Sequence, residues 1–216
     1  MEINLPNVTL VLVEGLKDNF TNSLKALKWS AKNINFGGVK FICPEDPKDD
    51  EIEYYEIDPL DYIGYNRYIL FDLNKHIDTD YCLVVQSDGF ILNPSKWSND
   101  FLQYDYIGAS WSKGAILGSI HVPDDVKRRE AFSLVGNGGF ALRSKKLLKA
   151  TEGAPFDRNG PEDAYICQEH YEYFKSKDIN FAPVEIADRF AKDPITNLTE
   201  TFGFHGNRSL VNNICK

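Results

Sequence analysis

The sequence predicts an α/β fold, a single domain on a mostly parallel central sheet flanked by helices, and three observations predict it. Residues 8–13, VTLVLV, form an unbroken run of β-branched residues and leucine, as expected of a strand buried on both faces. Two similar runs follow, VKFIC at 39–43 and YCLVV at 81–85. The segments between them are long enough for helices and carry helical periodicity, so the order strand, helix, strand, helix, strand implies right-handed βαβ crossovers.

Each element has its own signal. Phe20, Leu24, Leu27 and Ala31 recur at i, i+4, i+7 and i+11, which predicts the first helix, with the neighbouring Asn and Thr as candidate N-caps. Pro44 ends the second strand. Residues 61–77 carry Ile63, Tyr68, Leu70, Phe71 and Leu73, a rough helical stripe. The remainder is more irregular: a short strand near 106–109, a glycine-rich strand start at 136–142 and a helix beginning near Pro161. No internal repeat or low-complexity linker interrupts it.

Composition narrows the function. At 216 residues and 43% hydrophobic, the chain can bury one good core. A net charge of -8, with both signs interspersed, argues against a nucleic-acid partner, which needs clustered Lys and Arg. No apolar run is long enough to span a bilayer, and MEINLPN lacks the features of a signal peptide. The expectation is therefore a cytoplasmic protein. Cys43, Cys82, Cys167 and Cys215 stand far apart, without the CxxC spacing of zinc or redox sites, and are expected as free thiols. The Asn-X-Ser/Thr matches at Asn7, Asn19, Asn197 and Asn207 are expected by chance in an Asn-rich chain. Neither GxGxxG after the first strand nor GxxxxGK[ST] occurs, so phosphates must be handled in another way.

Position along a strand separates two candidate acidic motifs, because open α/β sheets bind ligands at the carboxyl ends of their strands. Asp78-Thr79-Asp80 leads into YCLVV at its amino end and is expected as a solvated turn. Gln86-Ser87-Asp88-Gly89 leaves the same strand at the ligand end. A carboxylate there, beside a glycine that permits close backbone approach, suits Mn²⁺ or Mg²⁺ holding a diphosphate, since hard cations take oxygen ligands and retain substrate phosphates. The bland alternative is an ordinary Asp-Gly turn.

Three further motifs accompany it. Gly136-Asn137-Gly138-Gly139-Phe140 opens an apolar strand, as a flexible turn or as a close approach to a sugar ring. Gly160-Pro161-Glu162-Asp163 begins a helix, with the acids offsetting its dipole or serving chemistry. In Phe202-Gly203-Phe204-His205-Gly206-Asn207-Arg208, an imidazole and a guanidinium can serve a metal-diphosphate site, although a lone His is more often structural. Trp111 can offer a flat apolar face to a sugar or be buried in the core.

This ordered set, Gln86 to Phe90, Trp111, Gly136 to Phe140, Pro161 to Asp163 and Phe202 to Gly206, covers most of the chain. It resembles a family of unknown function related to the GT-A glycosyltransferases, which includes the N-terminal glycosyltransferase domain of a chlorella virus protein. The resemblance implies a Rossmann-like sheet, with residues 1–90 as a nucleotide-binding half and 91–216 as the half for donor sugar and acceptor. It also implies Asp88 as the last acid of a D-x-D-type motif, binding the metal together with His205. Val13 and Glu14 would lie near the base and Arg67 near the nucleotide, with Gln86 and Ser87 lining the site and Arg208 on the diphosphate. Gly138 and Gly139 would face the donor sugar, and Glu162 or Asp163 would be the catalytic carboxylate. Gln86 stands where the family pattern has the first Asp, so a two-carboxylate grip on the metal is not expected.

The implied activity is transfer of a hexose or deoxyhexose from a nucleotide-sugar donor, UDP-linked by default, to a glycan or glycoprotein acceptor, with Mn²⁺ or Mg²⁺ as cofactor. Stereochemistry, donor sugar and acceptor stay open. Two rivals stand beside this reading: a metal-dependent hydrolase or nucleotidyltransferase on a similar core, and an inactive sugar-nucleotide-binding module. Little sequence follows His205 to build an acceptor lobe, so a module of a longer protein, or a dimer, is expected.

Overall fold

The computed structural model describes residues 3–119, 124, 132–155, 160–193 and 200–215; Asn197 lies outside them. A six-stranded sheet runs in the order β3-β2-β1-β4-β6-β5. Its strands are β1 (Ile3–Val13), β2 (Ile34–Cys43), β3 (Glu53–Glu56), β4 (Tyr81–Val84), β5 (Tyr106–Ile107) and β6 (Ala141–Ser144). The first four are parallel, and β6 runs antiparallel to both β4 and β5. A second, two-stranded sheet pairs β7 (Ala191–Lys192) with β8 (Gly203–Phe204). The domain is a mixed α/β fold with a mostly parallel, Rossmann-like sheet.

β1 is central because its apolar run serves both faces. Leu10 and Leu12 pack on the side of α1 (Phe20–Ala31), with Leu27, Phe41 and Leu83. Val11 and Val13 pack on the opposite side, with Tyr68 and Ile69 of α2 (Tyr62–Phe71) and Leu148 of a later helix, Lys145–Glu152. Residues 8 to 13 are all buried, so period-2 alternation is absent although the backbone is extended.

The predicted α1 forms with Asn19 at its N-cap position, but without a side-chain cap hydrogen bond. The Glu14 carboxylate fixes this turn instead, accepting from Leu16 N at 2.9 Å and from Ser23 Oγ at 2.6 Å. The stripe at 61–77 resolves into α2 and a 3-10 turn, Leu73–His76. The Asp61 side chain caps α2 at Gly64 N. Past Pro161, a short helical turn, Glu162–Ala164, runs into a π-helical segment, Tyr165–Glu169. All four cysteines are buried and unpaired. No helix among the described residues is long and apolar enough to cross a membrane.

Candidate functional site

The carboxyl ends of β1 and β4 open into a cleft of about 210 Å³ lined by Leu12, Val13, Glu14, Asn19, Tyr62, Tyr65, Gln86, Ser87, Asp88 and Arg208. Six of the sequence-predicted residues meet here. They come from three separate stretches of chain, and the fold joins them because β1 and β4 are adjacent parallel strands that end on the same edge. A larger cavity of about 450 Å³ lies against α1, between Lys25, Trp29 and Glu51, and contains none of the motif residues. Volume alone is therefore a poor guide to the chemistry.

Gln86-Ser87-Asp88-Gly89 forms a tight turn closed by Gln86 N to Gly89 O at 2.7 Å and Gly89 N to Gln86 O at 3.1 Å. This turn holds Asp88 at the cleft. Its Oδ1 lies 3.7 Å from His205 Nε2, and its Oδ2 lies 3.4 Å from Arg208 Nε. The carboxyl-terminal segment is tied to the turn by Asn207 N donating to Asp88 O at 3.1 Å. Gln86 bridges Tyr65 and His205: its Nε2 donates to Tyr65 Oη at 2.5 Å, and its Oε1 lies 3.4 Å from His205 Nε2.

Asp88 and His205 suit a divalent cation. An octahedral ion with ligands about 2.1 Å away places neighbouring ligands roughly 3 Å apart, so a separation of 3.7 Å needs only a small contraction. Among the described residues, no three His, Cys, Asp or Glu side chains converge as a preformed cage. Two protein ligands are nevertheless the usual complement for Mg²⁺-type ions that draw the rest from substrate phosphates and water.

Asp193 is a neighbour that the sequence reading missed. Its Oδ2 lies 3.8 Å from His205 Nδ1 and accepts a hydrogen bond from Asn137 Nδ2. Burial works against charge on the His205 ring, but Asp193, Asp88 and Asp163 outweigh it and raise its pKa above the ordinary value. Asn137 adopts a left-handed backbone, φ 64°, which Asn tolerates better than most residues.

Glu162 and Asp163 have different surroundings. Glu162 is buried, and its Oε1 pairs with the buried Arg143 Nη2 at 2.5 Å. Its backbone N donates to Asn66 Oδ1 of α2 at 2.8 Å. Asp163 lines a second cleft, of about 220 Å³, with Trp111, Ala115, Ile116, Ser119, Pro161, Ala164 and Gln168. Its Oδ2 accepts from Gly138 N at 3.1 Å and its Oδ1 from Ala164 N at 2.7 Å. Burial, and then the charge of Glu162, push its carboxyl up to about 6.

The glycine motif lies between the two clefts. A Cβ on Gly138 would stand 1.7 Å from Glu162 Oε1, and one on Gly139 would stand 2.2 Å from His205 Nε2 and 2.6 Å from Gln86 Oε1. The space a side chain would take is filled by the site's own residues, so glycine is required for their approach. Arg67 is exposed, with its guanidinium 5.5 Å from the Phe71 ring centre, and is not among the cleft residues. It follows Tyr65 by two positions, roughly 200° around α2, so Tyr65 facing the cleft turns Arg67 away. Asp78 lies at the other end of β4, exposed and paired with Lys40 at 3.0 Å, as expected of a solvated turn.

Tyr62, Tyr65, Arg143, Asp193 and Gln168 joined the site only in three dimensions. For Arg143 a signal was available, since a charged residue in the short apolar run FAL-R needs a buried partner.

Comparison with known proteins places this arrangement. A family described as protein of unknown function (DUF5672) matches residues 54–205. No curated protein matches the sequence. Among solved structures, the chain is similar to a glycosyltransferase involved in the glycosylation of the major capsid of PBCV-1. The two share a TM-score of 0.53 and 13% identity over 96% of this chain and 98% of that one. It is also similar to an active-site mutant of LgtC, with a TM-score of 0.51 and 11% identity over 94% of this chain and 86% of that one. A complex of galactosyltransferase LgtC with donor and acceptor sugar analogs gives a TM-score of 0.50 at 11% identity over the same shares. The fold is that of the GT-A glycosyltransferases.

Proposed function

This chain belongs to the DUF5672 family of proteins of unknown function, and we propose that it transfers a hexosyl or deoxyhexosyl group from a nucleotide-sugar donor to a hydroxyl of a glycan or glycoprotein. The observation that carries the reading is the convergence of Val13, Glu14, Gln86, Ser87, Asp88 and Arg208 in one cleft at the carboxyl ends of β1 and β4. A nucleoside diphosphate, UDP as the default, lies in this cleft. Tyr62, aromatic, exposed and on the cleft wall, is placed to stack on the base. Val13 and Glu14 border it, and Glu14, with both oxygens engaged at the head of α1, holds the loop shape.

Asp88 and His205 would hold Mn²⁺ or Mg²⁺, which would supply Lewis-acid neutralisation of the departing diphosphate. Arg208 adds positive charge where the bridging oxygen becomes negative as the bond to the sugar breaks. Asp163 takes the proton of the attacking hydroxyl, whose oxygen forms the new bond to the anomeric carbon. A carboxyl raised to about 6 is still largely ionised at neutral pH and is a stronger base than an ordinary Asp. Glu162 acts as a positioning residue through Arg143. Residues 1–90 then supply most of the nucleotide cleft, with His205 and Arg208 reaching it from the carboxyl-terminal segment, and the rest of 91–216 serves the sugar and acceptor.

Calorimetric titration of UDP and GDP, with Mn²⁺ and with chelator, on wild type and Asp88→Ala tests the reading. Binding of one nucleotide that needs both the metal and Asp88 is the expected result. Binding that ignores both moves the inactive-module reading ahead.

A further inference from the structure

The cleft beside Asp163 holds a feature that the transfer chemistry does not use. Gln168 lines it and is 1% exposed, yet neither its amide oxygen nor its amide nitrogen has a hydrogen-bond partner. Buried amides are nearly always satisfied, and an orphaned one points to a ligand group that completes it. Gln168 lies in the π-helical segment Tyr165–Glu169, a local distortion of a kind that often marks functional sites. Trp111 lines the same cleft, backed by Gly136, where a Cβ would come within 2.0 Å of the indole. The indole is therefore held by close backbone packing.

We infer that this cleft is the acceptor subsite and that it holds one pyranose ring, with its apolar face on Trp111 and two adjacent hydroxyls on the Gln168 amide. The inference rests on the transferase reading for its name as an acceptor site. Its chemistry rests on the cleft alone. An amide offers one acceptor and a pair of donors side by side, which matches a vicinal diol. The mostly aliphatic and aromatic lining suits the C–H face of a sugar. At about 220 Å³ the cleft takes one ring, and an oligosaccharide extends outside. Asp163 borders the same cleft, so a third hydroxyl of that ring is presented to the carboxylate.

The test is binding of a panel of methyl glycosides of glucose, galactose, mannose, fucose and xylose, without donor, read by saturation-transfer NMR and tryptophan fluorescence. The variants are Gln168→Ala, Gln168→Glu and Trp111→Phe, each also titrated with the nucleotide that the wild type binds. At least one glycoside is expected to bind the wild type, with Gln168→Ala weakening it about tenfold and leaving nucleotide affinity unchanged. Removing either hydroxyl of the recognised pair should weaken binding to the wild type but not to Gln168→Ala, a coupling that a purely structural role for Gln168 would not produce. Nucleotide binding with no glycoside binding overturns the subsite and leaves the transferase reading standing. Glycoside binding with no nucleotide binding keeps the sugar site and removes the transferase reading. Equal glycoside affinity in Gln168→Ala and wild type overturns the assignment of Gln168.

Discussion

The two halves of the molecule are held together differently. Around β1, β2 and β4, contiguous apolar runs are buried on both faces of a parallel sheet. Around β6 and the Pro-Glu-Asp segment, specific polar links join distant stretches: Arg143 to Glu162, Asn66 to Glu162, Gly138 to Asp163 and Asn137 to Asp193. A nonspecific core tolerates repacking, whereas a polar network fails when one member is lost. The second half should therefore respond to single substitutions out of proportion to the volume they change.

The largest expected effect is at the buried ion pair. Arg143→Met leaves Glu162 buried without its partner and should cost about 3–5 kcal/mol in denaturant unfolding, whereas adding Glu162→Leu should recover much of the loss. If the single and double variants unfold alike, the ion pair is not the element holding this half. Next is Gly139→Ala, whose methyl group meets His205 and Gln86. Overpacking of this kind costs about 1–3 kcal/mol, and metal-dependent nucleotide binding should fall with it, read by calorimetry.

Asp163 yields a prediction in pH. Burial and the charge of Glu162 raise its folded pKa to about 6, well above the ordinary carboxylate range, so the folded state binds the proton more tightly than the unfolded state. The associated stability is present at low pH and is lost as pH rises through about 6. The melting temperature of Asp163→Asn relative to wild type should therefore become more favourable between pH 4 and pH 7.5, while transfer activity disappears. A pH-independent difference would contradict the raised pKa. The smallest effect is expected at Asp78→Ala, because Asp78 is exposed and the buried Lys40 keeps Glu53 and the Tyr55 hydroxyl as partners. It should shift stability by no more than about 1 kcal/mol and leave nucleotide affinity unchanged, which separates it from Asp88→Ala.

The same contrast decides what was legible in the sequence. β1, β2, β4 and α1 were readable because their signal is local periodicity, and strand direction set Asp88 at the carboxyl end of β4 and Asp78 at its amino end. β3 was not, since EYYE is a partly exposed edge strand with charged ends and no apolar run. The antiparallel direction of β6 and the partnerships of Arg143, Asp193 and Gln168 depend on contacts between residues far apart in sequence, which no window of sequence contains. Gly138 and Gly139, expected to face the donor sugar, lie against Glu162, His205 and Gln86, neighbours that no local motif names. Helical phase placed Tyr62 and Tyr65, not Arg67, on the cleft.

In the proposed site, Asp88 and His205 would hold the ion that grips the diphosphate. The most direct test is a crystal structure with Mn²⁺ and the nucleotide that binds, with the ion located by anomalous scattering. The manganese is expected about 2.1 Å from an Asp88 carboxylate oxygen and from His205 Nε2, with diphosphate oxygens completing its shell. A diphosphate bound in the cleft without contact to an ion at Asp88, or an ion bound elsewhere, would contradict it.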